Sequence, residues 1–482
     1  MTETSAPAAE HPARAPVGLW IRRVWLAALF VLGLGFVVLI PPFQAVDEVA
    51  HWDRVWTVAD GHYNCWRLPL SAAQFVDKGF RFDNRGPEPQ MVQWSIFREL
   101  YAFEGTPGEM WIATNGCHYP PIGYIAPAIA ARLTALDPPE QPRPHKMFFA
   151  FYAMRLANWL LFFACLVGAH RLGRYPMIPL VFASIPMVVH QAVSINNDAF
   201  QFGGLLLASA LLTRAPTRRT LWSAIAIITL MSMIKPINAV AVPLVWIAGV
   251  WALRGARLRR RELAGMAVAS LALPIGAWLL WHETMHVPIL GLTTGMPVPN
   301  VDEARQAALL RENPLRVLDV LGWQLKQFFD VSAINGGWRG VLLALGWYRY
   351  VAEDYVYYVA IATFMVGLFL LRWDAQPRAP HERTPLWLSI GTVGGTLAYF
   401  AVVTLILYTA FTPVGAELVF GVQGRYFLYP LAVLLFLHGF AREGPPWLRG
   451  RPAVAVACVF VALAIGAQVA ALVAIRQLFW QA

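Results

Sequence analysis

The sequence has little charge. Only 14% of its 482 residues are Asp, Glu, Lys or Arg, whereas 58% are hydrophobic. Soluble domains carry about 25% charged and about 45–50% apolar residues. The apolar excess recurs in blocks of about 20 residues, the length that crosses a hydrocarbon core of about 30 Å. This composition excludes an ordinary soluble fold and predicts an all-α polytopic membrane protein.

Several catalytic motifs are also missing. The chain has no Gly-rich phosphate loop, no dinucleotide fingerprint and no Gly-x-Ser-x-Gly elbow, which leaves nucleotide-dependent enzymes and serine hydrolases without support. His282, Glu283 and His286 lack the spacing of a zinc-binding His-Glu-x-x-His helix. These residues therefore predict no metal site.

Eleven apolar segments are long enough to cross a membrane, and each must be helical because lipid offers no partner to a bare backbone amide. They are residues 18–40, 147–169, 176–195, 198–213, 219–235, 237–253, 263–281, 352–371, 385–408, 425–440 and 453–476. Arginine-rich loops begin at Arg171, Arg214, Arg254, Arg372 and Arg442. A cytoplasmic N-terminus and eleven spans put all five loops on the cytoplasmic side, as the positive-inside rule requires.

The same scheme divides the chain into a tail and one membrane domain. Residues 1–17 are predicted to be a disordered cytoplasmic tail, and residues 18–482 form the transmembrane domain with long outer loops at 41–146 and 282–351. Tyr119–Leu136 is apolar, but as a span it would turn the arginine loops outward. It is therefore expected to be a juxtamembrane helix that lies along the outer interface or re-enters it.

Cysteine is scarce, with four residues in the chain. Cys165 and Cys458 fall inside predicted spans and suit plain packing. Cys65 and Cys117 both fall in the first outer loop, which is an oxidising location. A disulfide between them and a pair of free thiols both remain open.

The densest polar cluster follows the first helix. On a helix, Asp47 and His51 are four residues apart and share a face, with Glu48 and Arg54 close by. Ionisable groups near a membrane tend to mark function, and a carboxylate here could act as a general base. The alternative is a solvated amphipathic turn at the interface.

Four further ionisable residues each have two possible roles. Asp198 either belongs to an Asn-Asn-Asp turn or faces the Asp47 region as a second carboxylate. Lys235, the only lysine in the spans, either snorkels to the interface or meets an anion. Arg425 and Arg155 are either interfacial anchors or phosphate ligands.

These motifs occur in a recognisable order: the first helix, Asp47-Glu48-x-x-His51, a long outer loop, His118-Tyr-Pro-Pro-x-x-Tyr124, Arg155-Leu-Ala-Asn158, Ser194-Ile-Asn-Asn-Asp198, Lys235 and Gln423-Gly-Arg-Tyr426. This order resembles a bacterial family of multi-pass membrane proteins with Asp-Glu-x-x-His after the first helix and Gln-Gly-Arg-Tyr near the end. That family in turn looks like the GT-C superfamily of membrane glycosyltransferases. The resemblance covers residues 18 to about 440.

The resemblance implies a GT-C-like fold and a polyprenyl-phosphate sugar donor used on the outer face of the cytoplasmic membrane. It implies Asp47 as catalytic base, with Glu48 as the neighbouring carboxylate and Asp198 as a second acidic residue. Related transferases have Glu-Lys-Pro before the juxtamembrane helix, where this chain has His118-Tyr119-Pro120. The lysine that would contact the donor phosphate is missing there, so the positive charge at the phosphate would have to come from Arg54, Lys235 or Arg425. Members of the superfamily differ in whether they need a divalent cation.

The sequence thus predicts a bacterial inner-membrane glycosyltransferase that moves a sugar from a polyprenyl phosphate to a glycan, lipid or protein acceptor. Two other functions fit the same cationic cleft: a transporter or flippase for a lipid-linked glycan, and a non-catalytic scaffold for envelope assembly. The sugar, the acceptor and the oligomeric state are not specified by any motif.

Overall fold

A computed structural model describes residues 16–63, 67–80, 94–106, 108–111, 115–134, 145–214, 216–285, 300–330, 337–345, 350–373, 375, 379–441 and 450–480. Almost all regular structure in these residues is helical. The α-helices are α1 (Pro16–Leu39), α2 (Glu48–Ala59), α3 (Leu70–Phe80), α4 (Trp94–Tyr101), α5 (Ile125–Thr134), α6 (Lys146–Leu172), α7 (Met177–Phe182), α8 (Pro186–Val193), α9 (Asp198–Thr213), α10 (Arg218–Ile234), α11 (Val242–Arg254), α12 (Arg260–Met285), α13 (Glu303–Glu312), α14 (Arg316–Phe329), α15 (Trp338–Leu342), α16 (Asp354–Leu370), α17 (Leu386–Phe411), α18 (Leu428–Ala441) and α19 (Arg451–Phe479).

Short elements join these helices. Five 3₁₀ turns are described: Asn115–His118, Pro121–Tyr124, Pro236–Ala241, Pro380–Glu382 and Gly424–Phe427. Strand β1 (Arg67–Pro69) pairs antiparallel with strand β2 (Glu109–Trp111), with Arg67 opposite Trp111. Because this two-stranded ribbon is so small, the all-α class predicted from composition holds.

Seven helices in the described part of the chain are long and apolar enough to cross a membrane. They are Gly18–Leu39, Lys146–Leu172, Pro236–Arg254, Arg260–Thr284, Leu386–Phe411, Gly424–Ala441 and Arg451–Phe479. Asp198–Thr213 and Asp354–Leu370 are apolar but shorter. The multi-pass membrane class is therefore confirmed, whereas the count of eleven spans and the GT-C-like fold stay predictions.

The predicted span at 176–195 is broken. It forms the two short helices α7 and α8, and α8 begins at Pro186, which has no amide hydrogen to continue the preceding helix. The break exposes backbone carbonyls inside the bundle. Gln468 of α19 donates to the carbonyls of Ala183 and Ser184, at 3.4 and 3.0 Å, and so satisfies them.

The arginine-bearing connections meet at one end of the helical domain. The contacts run from Arg174 to Glu382 at 2.6 Å, from Arg254 to the carbonyl of Arg383 at 2.7 Å, from Arg218 to Glu262 at 3.6 Å, and from Thr384 to the carbonyl of Phe440 at 2.5 Å. Arg174 and Arg254 lie at the carboxyl ends of α6 and α11, whereas Arg218 and Glu262 lie at the amino ends of α10 and α12. The charge pattern predicts that these connections share one side, and their placement on the cytoplasmic side stays a prediction.

The opposite end carries the described residues of the first loop. Phe43 and Trp52 stack edge-on with ring centroids 5.8 Å apart, and Phe43 also meets Phe151 of α6 at 5.1 Å. Trp52 is fully buried, and each such ring contributes about 1.5–3 kcal/mol by leaving water. Through these rings the described residues of the segment 43–80 pack onto the membrane helices.

In the predicted juxtamembrane segment Tyr119–Leu136, the described residues form the 3₁₀ turn Pro121–Tyr124 and the 10-residue helix α5. Ten residues rise about 15 Å, which is half of a hydrocarbon core. Ile125, Ile129 and Leu133 form an exposed stripe along α5. The expectation that this segment is not a regular span agrees with its length.

Two other expectations fall at the edges of the described residues. Residues 1–15 of the predicted tail lie outside them, and α1 already begins at Pro16, before the predicted boundary at residue 18. The second outer loop contains α13, α14 and α15, and Phe328 of α14 lies 5.2 Å from Phe427 beside the start of α18.

Candidate active site

Five chain segments converge at the end of the bundle away from the arginine loops. They are the turn after α1, the 3₁₀ segment before α5, the α8–α9 turn, the end of α10 and the 3₁₀ turn that opens α18. Asp47, Asp198, Lys235 and Arg425 meet there, although Asp47 and Arg425 are 378 positions apart in sequence. We call these four residues the charge cluster.

Asp47 sits at the entry of α2 in a left-handed backbone conformation, with φ of 59°. Such a conformation is uncommon outside glycine, although aspartate tolerates it better than most residues. Its carboxylate forms an ion pair with Arg425. The Asp47 side chain is 40% exposed, whereas that of Arg425 is 6% exposed. Asp47 therefore presents its carboxylate at the mouth of the cluster and Arg425 holds it from inside.

Asp198 begins α9 and is nearly buried. Lys235 Nζ lies 3.3 Å from its carboxylate, and Arg425 lies 3.9 Å from it. Gln201, one turn along α9, also donates to Asp198 at 3.3 Å. Arg425 thus bridges both carboxylates, and two anions face two cations in the charge cluster.

His51 lies one turn after Asp47 on α2, as the helical spacing predicts. Burial lowers the pKa of His51 to about 4, with opposing effects from Asp47 and Arg425. Its Nδ1 is 2.6 Å from the hydroxyl of Tyr124. His51 is therefore neutral at physiological pH beside the charge cluster.

Glu48 points away from the charge cluster. Its carboxylate binds Arg155 through two bonds of 2.8 and 2.7 Å, and both side chains are fully buried. It also accepts the backbone amides of Phe43 and Ile195, each at 3.0 Å. Glu48 and Arg155 therefore join three segments of backbone, and no substrate reaches them in this arrangement. Their predicted roles as carboxylate partner and phosphate ligand stay predictions, and the geometry argues for a structural role instead.

Arg54 is also placed inside the protein. It donates to the carbonyl of Tyr119 at 3.0 Å and to the hydroxyl of Thr57 at 3.2 Å. Its guanidinium lies 6.0 Å from the ring of Trp281, and burial lowers its pKa to about 10. Of the predicted phosphate ligands, Lys235 and Arg425 belong to the charge cluster and Arg54 lies beside it.

Several polar residues around the cluster were not assigned a role from sequence. Gln191 accepts from Arg425 at 3.0 Å, and Asn197 donates to the Tyr124 hydroxyl at 3.1 Å. Burial raises the pKa of Tyr119 to about 12, so its phenol stays protonated. Tyr124 and Asn197 belong to the motifs quoted above, and this is the sequence signal that could have identified them. Gln191 belongs to no such motif, so the sequence offered no signal for it.

Two further predictions concern metal and disulfide. Within the described residues, no group of three or more His, Cys, Asp or Glu side chains is placed to hold a metal ion. Cys117 is disulfide-bonded, whereas Cys165 and Cys458 are free. The predicted partner, Cys65, lies outside the described residues.

The described helices and the charge cluster at one end of them define a multi-pass membrane protein with a polar site beside its membrane helices. A family model described as "Predicted membrane protein (DUF2142)" matches residues 30–435, and the chain belongs to this family. No curated protein and no solved structure matches the chain. The membrane class is confirmed; the glycosyltransferase activity and the lipid-linked substrate remain to be proposed.

Proposed function

We propose that this protein is a glycosyltransferase that moves a sugar from a polyprenyl phosphate to an acceptor hydroxyl on the outer face of the bacterial cytoplasmic membrane. The observation that carries the proposal is the pairing of an accessible carboxylate with an inner cation at one end of the bundle. Asp47 is 40% exposed and is held by Arg425, which is 6% exposed.

Asp47 is assigned as the general base. Its exposure lets an acceptor hydroxyl approach, and the ion pair with Arg425 fixes the position of its carboxylate. A base within hydrogen-bond reach of the attacking hydroxyl contributes about 10²–10⁴ in rate. Glu48, next in sequence, is excluded from this role because it is fully buried against Arg155.

The donor phosphate is assigned to Lys235 and Arg425. Lys235 is 26% exposed and can turn from Asp198 toward a ligand. Arg425 offers a planar guanidinium suited to phosphate oxygens. When the lipid phosphate leaves, its growing charge falls beside these two cations, which is where preorganised positive charge lowers a barrier. Arg155 is left out of the donor site because its guanidinium is used by Glu48 and by backbone carbonyls.

The reaction is a single displacement. Asp47 takes the proton from the acceptor hydroxyl, and that oxygen attacks the anomeric carbon of the donor sugar. The bond from the anomeric carbon to the phosphate oxygen breaks with inversion, and its electron pair leaves on the polyprenyl phosphate. One base on one face of the sugar is sufficient for this route.

Sugar release from a panel of radiolabelled polyprenyl-phosphate sugars tests the proposal, with the wild type beside Asp47→Asn. We expect one donor to be turned over and the variant to lose at least about 10²-fold in rate. Asp354→Asn is the matched control, because Asp354 is also exposed and paired with an arginine, Arg339, at 2.8 Å. It should keep wild-type turnover.

Other outcomes favour the rival functions. A transporter or flippase needs no base, so movement of a lipid-linked glycan across vesicles should survive Asp47→Asn. A scaffold tolerates neutral residues at both Lys235 and Arg425. Absence of turnover for every donor, from a folded protein that binds the lipid, would overturn the glycosyltransferase proposal.

A further inference from the structure

A directional chain of hydrogen bonds runs from α10 to His51. It starts at Asn238, whose side-chain amide donates to the carbonyl of Met231 at 3.0 Å and to Gln201 Oε1 at 2.8 Å. A backbone carbonyl can only accept, so this contact fixes which end of the Asn238 amide is the NH₂ group.

The direction continues through α9. With its oxygen occupied by Asn238, Gln201 uses its NH₂ group to donate to Asn197 Oδ1 at 2.5 Å and to the carboxylate of Asp198 at 3.3 Å. Asn197 then has only its own NH₂ group for Tyr124, which it meets at 3.1 Å. Turning the Asn197 amide round would set two NH₂ groups against each other, so each amide has one orientation.

The hydroxyl of Tyr124 determines which ring nitrogen of His51 accepts a hydrogen bond. This hydroxyl is fully buried, accepts from Asn197 and has a single proton left to donate. In the described part of the chain, the only other partner of that oxygen is His51 Nδ1, at 2.6 Å. If Nδ1 carried a proton, the buried phenol proton would have no acceptor, and a buried donor without an acceptor destabilises the folded protein. The phenol therefore donates to Nδ1.

The remaining proton of the ring is then on Nε2. Among the described residues, this atom has no hydrogen-bond partner. It is also not among the fully buried atoms that lack a partner, and His51 keeps 6% exposure. The ring stands beside all four residues of the charge cluster, which act on it electrostatically. Nε2 thus carries an unused donor at the cluster.

We infer that Tyr124, Asn197, Gln201 and Asn238 form a relay that holds His51 as the neutral tautomer with its proton on Nε2, and that this N–H donates to an oxygen of the substrate. The second half of the inference rests on the proposed function. His51 is then the ligand-contacting residue, and the four relay members are positioning residues.

The charge balance of the cluster explains why a substrate would need the Nε2–H group of His51 as a donor. The two cations are already paired with the two carboxylates, so a phosphate or sugar oxygen that enters the cluster needs a further hydrogen-bond donor. A neutral imidazole N–H meets that need. An imidazolium would instead compete with Arg425 and Lys235 for the carboxylates.

The tautomer is tested without any activity assay. Nitrogen NMR of ¹⁵N-histidine-labelled protein in nanodiscs, with the His51 signals found by their loss in His51→Gln, reports which ring nitrogen is protonated. We expect an unprotonated Nδ1 and a protonated Nε2 near neutral pH. An imidazolium or a protonated Nδ1 in the wild type would overturn the inference.

Tyr124→Phe tests the relay. Removing the phenol leaves Nδ1 without its donor, so the single tautomer should give way to a mixture. Tyr152→Phe is the matched control, since the Tyr152 hydroxyl is buried with no hydrogen-bond partner among the described residues. It should leave the His51 signals unchanged. Unaltered His51 signals in a folded Tyr124→Phe protein would show that the phenol does not set the tautomer.

The donor to the substrate is tested with two isosteres. Glutamine can place an NH₂ group near the Nε2 position, whereas asparagine reaches only the Nδ1 position. Binding of unglycosylated polyprenyl phosphate and turnover of the active donor should fall about tenfold further in His51→Asn than in His51→Gln, the loss of one hydrogen bond. Equal losses in two folded variants would remove His51 from the ligand. If the wild type binds and turns over no donor, this half falls with the proposed function, whereas the NMR result still decides the tautomer.

Discussion

The Glu48→Gln variant should unfold more easily than the wild type. We expect the change to lower the stability of the protein and not to remove a reacting group. The carboxylate accepts four donors: two from Arg155, at 2.8 and 2.7 Å, and the amides of Phe43 and Ile195. Glutamine turns one oxygen into an NH₂ group, which then faces two of these donors. It also leaves the fully buried charge of Arg155 unpaired. Breaking a buried pair in this way costs about 3–5 kcal/mol.

Thermal unfolding in nanodiscs, followed by tryptophan fluorescence, measures this loss. Asp354→Asn provides the comparison, because its ion pair with Arg339 is exposed and is worth about 1 kcal/mol or less. A combined Glu48→Met and Arg155→Met protein should lose less stability than the two single changes added together, since no unpaired charge is left. A Glu48→Gln protein that melts with the wild type yet has lost turnover would refute this reasoning and return Glu48 to the catalytic residues.

Two further predictions follow from local geometry. Burial, followed by neighbouring Asp77, raises the pKa of Asp53 from 3.8 to about 8, so from about pH 4 to about pH 8 the folded state holds a proton that the unfolded state releases. Stability should therefore fall as pH rises through this window, by up to about 1.4 kcal/mol per pH unit, and Asp53→Asn should flatten the fall in melting temperature. A Cβ on Gly424 would collide with the backbone of Gly340 and Val341, so Gly424→Ala should displace neighbouring Arg425 and lower both melting temperature and turnover. Gly394→Ala, which meets nothing within 4 Å, is its control; equal behaviour of the two variants would contradict the packing argument.

The long helices follow from the sequence to within a few residues. The predicted span 147–169 is α6, Lys146–Leu172, and the predicted span 453–476 is α19, Arg451–Phe479. Uninterrupted apolar runs suffice here because lipid leaves the backbone no alternative to a helix. The segment 176–195 escaped this logic because Gln468, distant in sequence, supplies the donor that lets the helix break at Pro186.

The charge cluster could be expected from topology, since Asp47, Asp198, Lys235 and Arg425 all fall at predicted span ends on one side. The different placement of the Asp47 and Glu48 carboxylates could not be expected from the sequence. The left-handed backbone at Asp47 turns adjacent side chains in different directions, one to the mouth of the cluster and one into the bundle. Sequence spacing alone only places Glu48 close to the helix face that Asp47 and His51 share.

The charge balance of the cluster makes a last prediction about polyprenyl phosphate. Lys235→Met leaves the carboxylates in excess and should weaken binding of the lipid phosphate, whereas Asp198→Asn frees Lys235 from its 3.3 Å partner and should strengthen it. Two unit charges 4 Å apart interact by about 4 kcal/mol at an effective dielectric of 20, so even partial screening leaves about a tenfold change in each direction.

Binding of unglycosylated polyprenyl phosphate to protein in neutral nanodiscs measures both changes apart from turnover. Lys326→Met on α14 is the control for losing a positive charge, since Lys326 is exposed and outside the cluster. If Asp198→Asn weakened binding as much as Lys235→Met, with both proteins folded, then Asp198 would serve to position Lys235 rather than to compete with the phosphate for it. The opposite signs are therefore what separates a phosphate site, whose anions must give way to the ligand, from a structural ion-pair network, whose members only support one another.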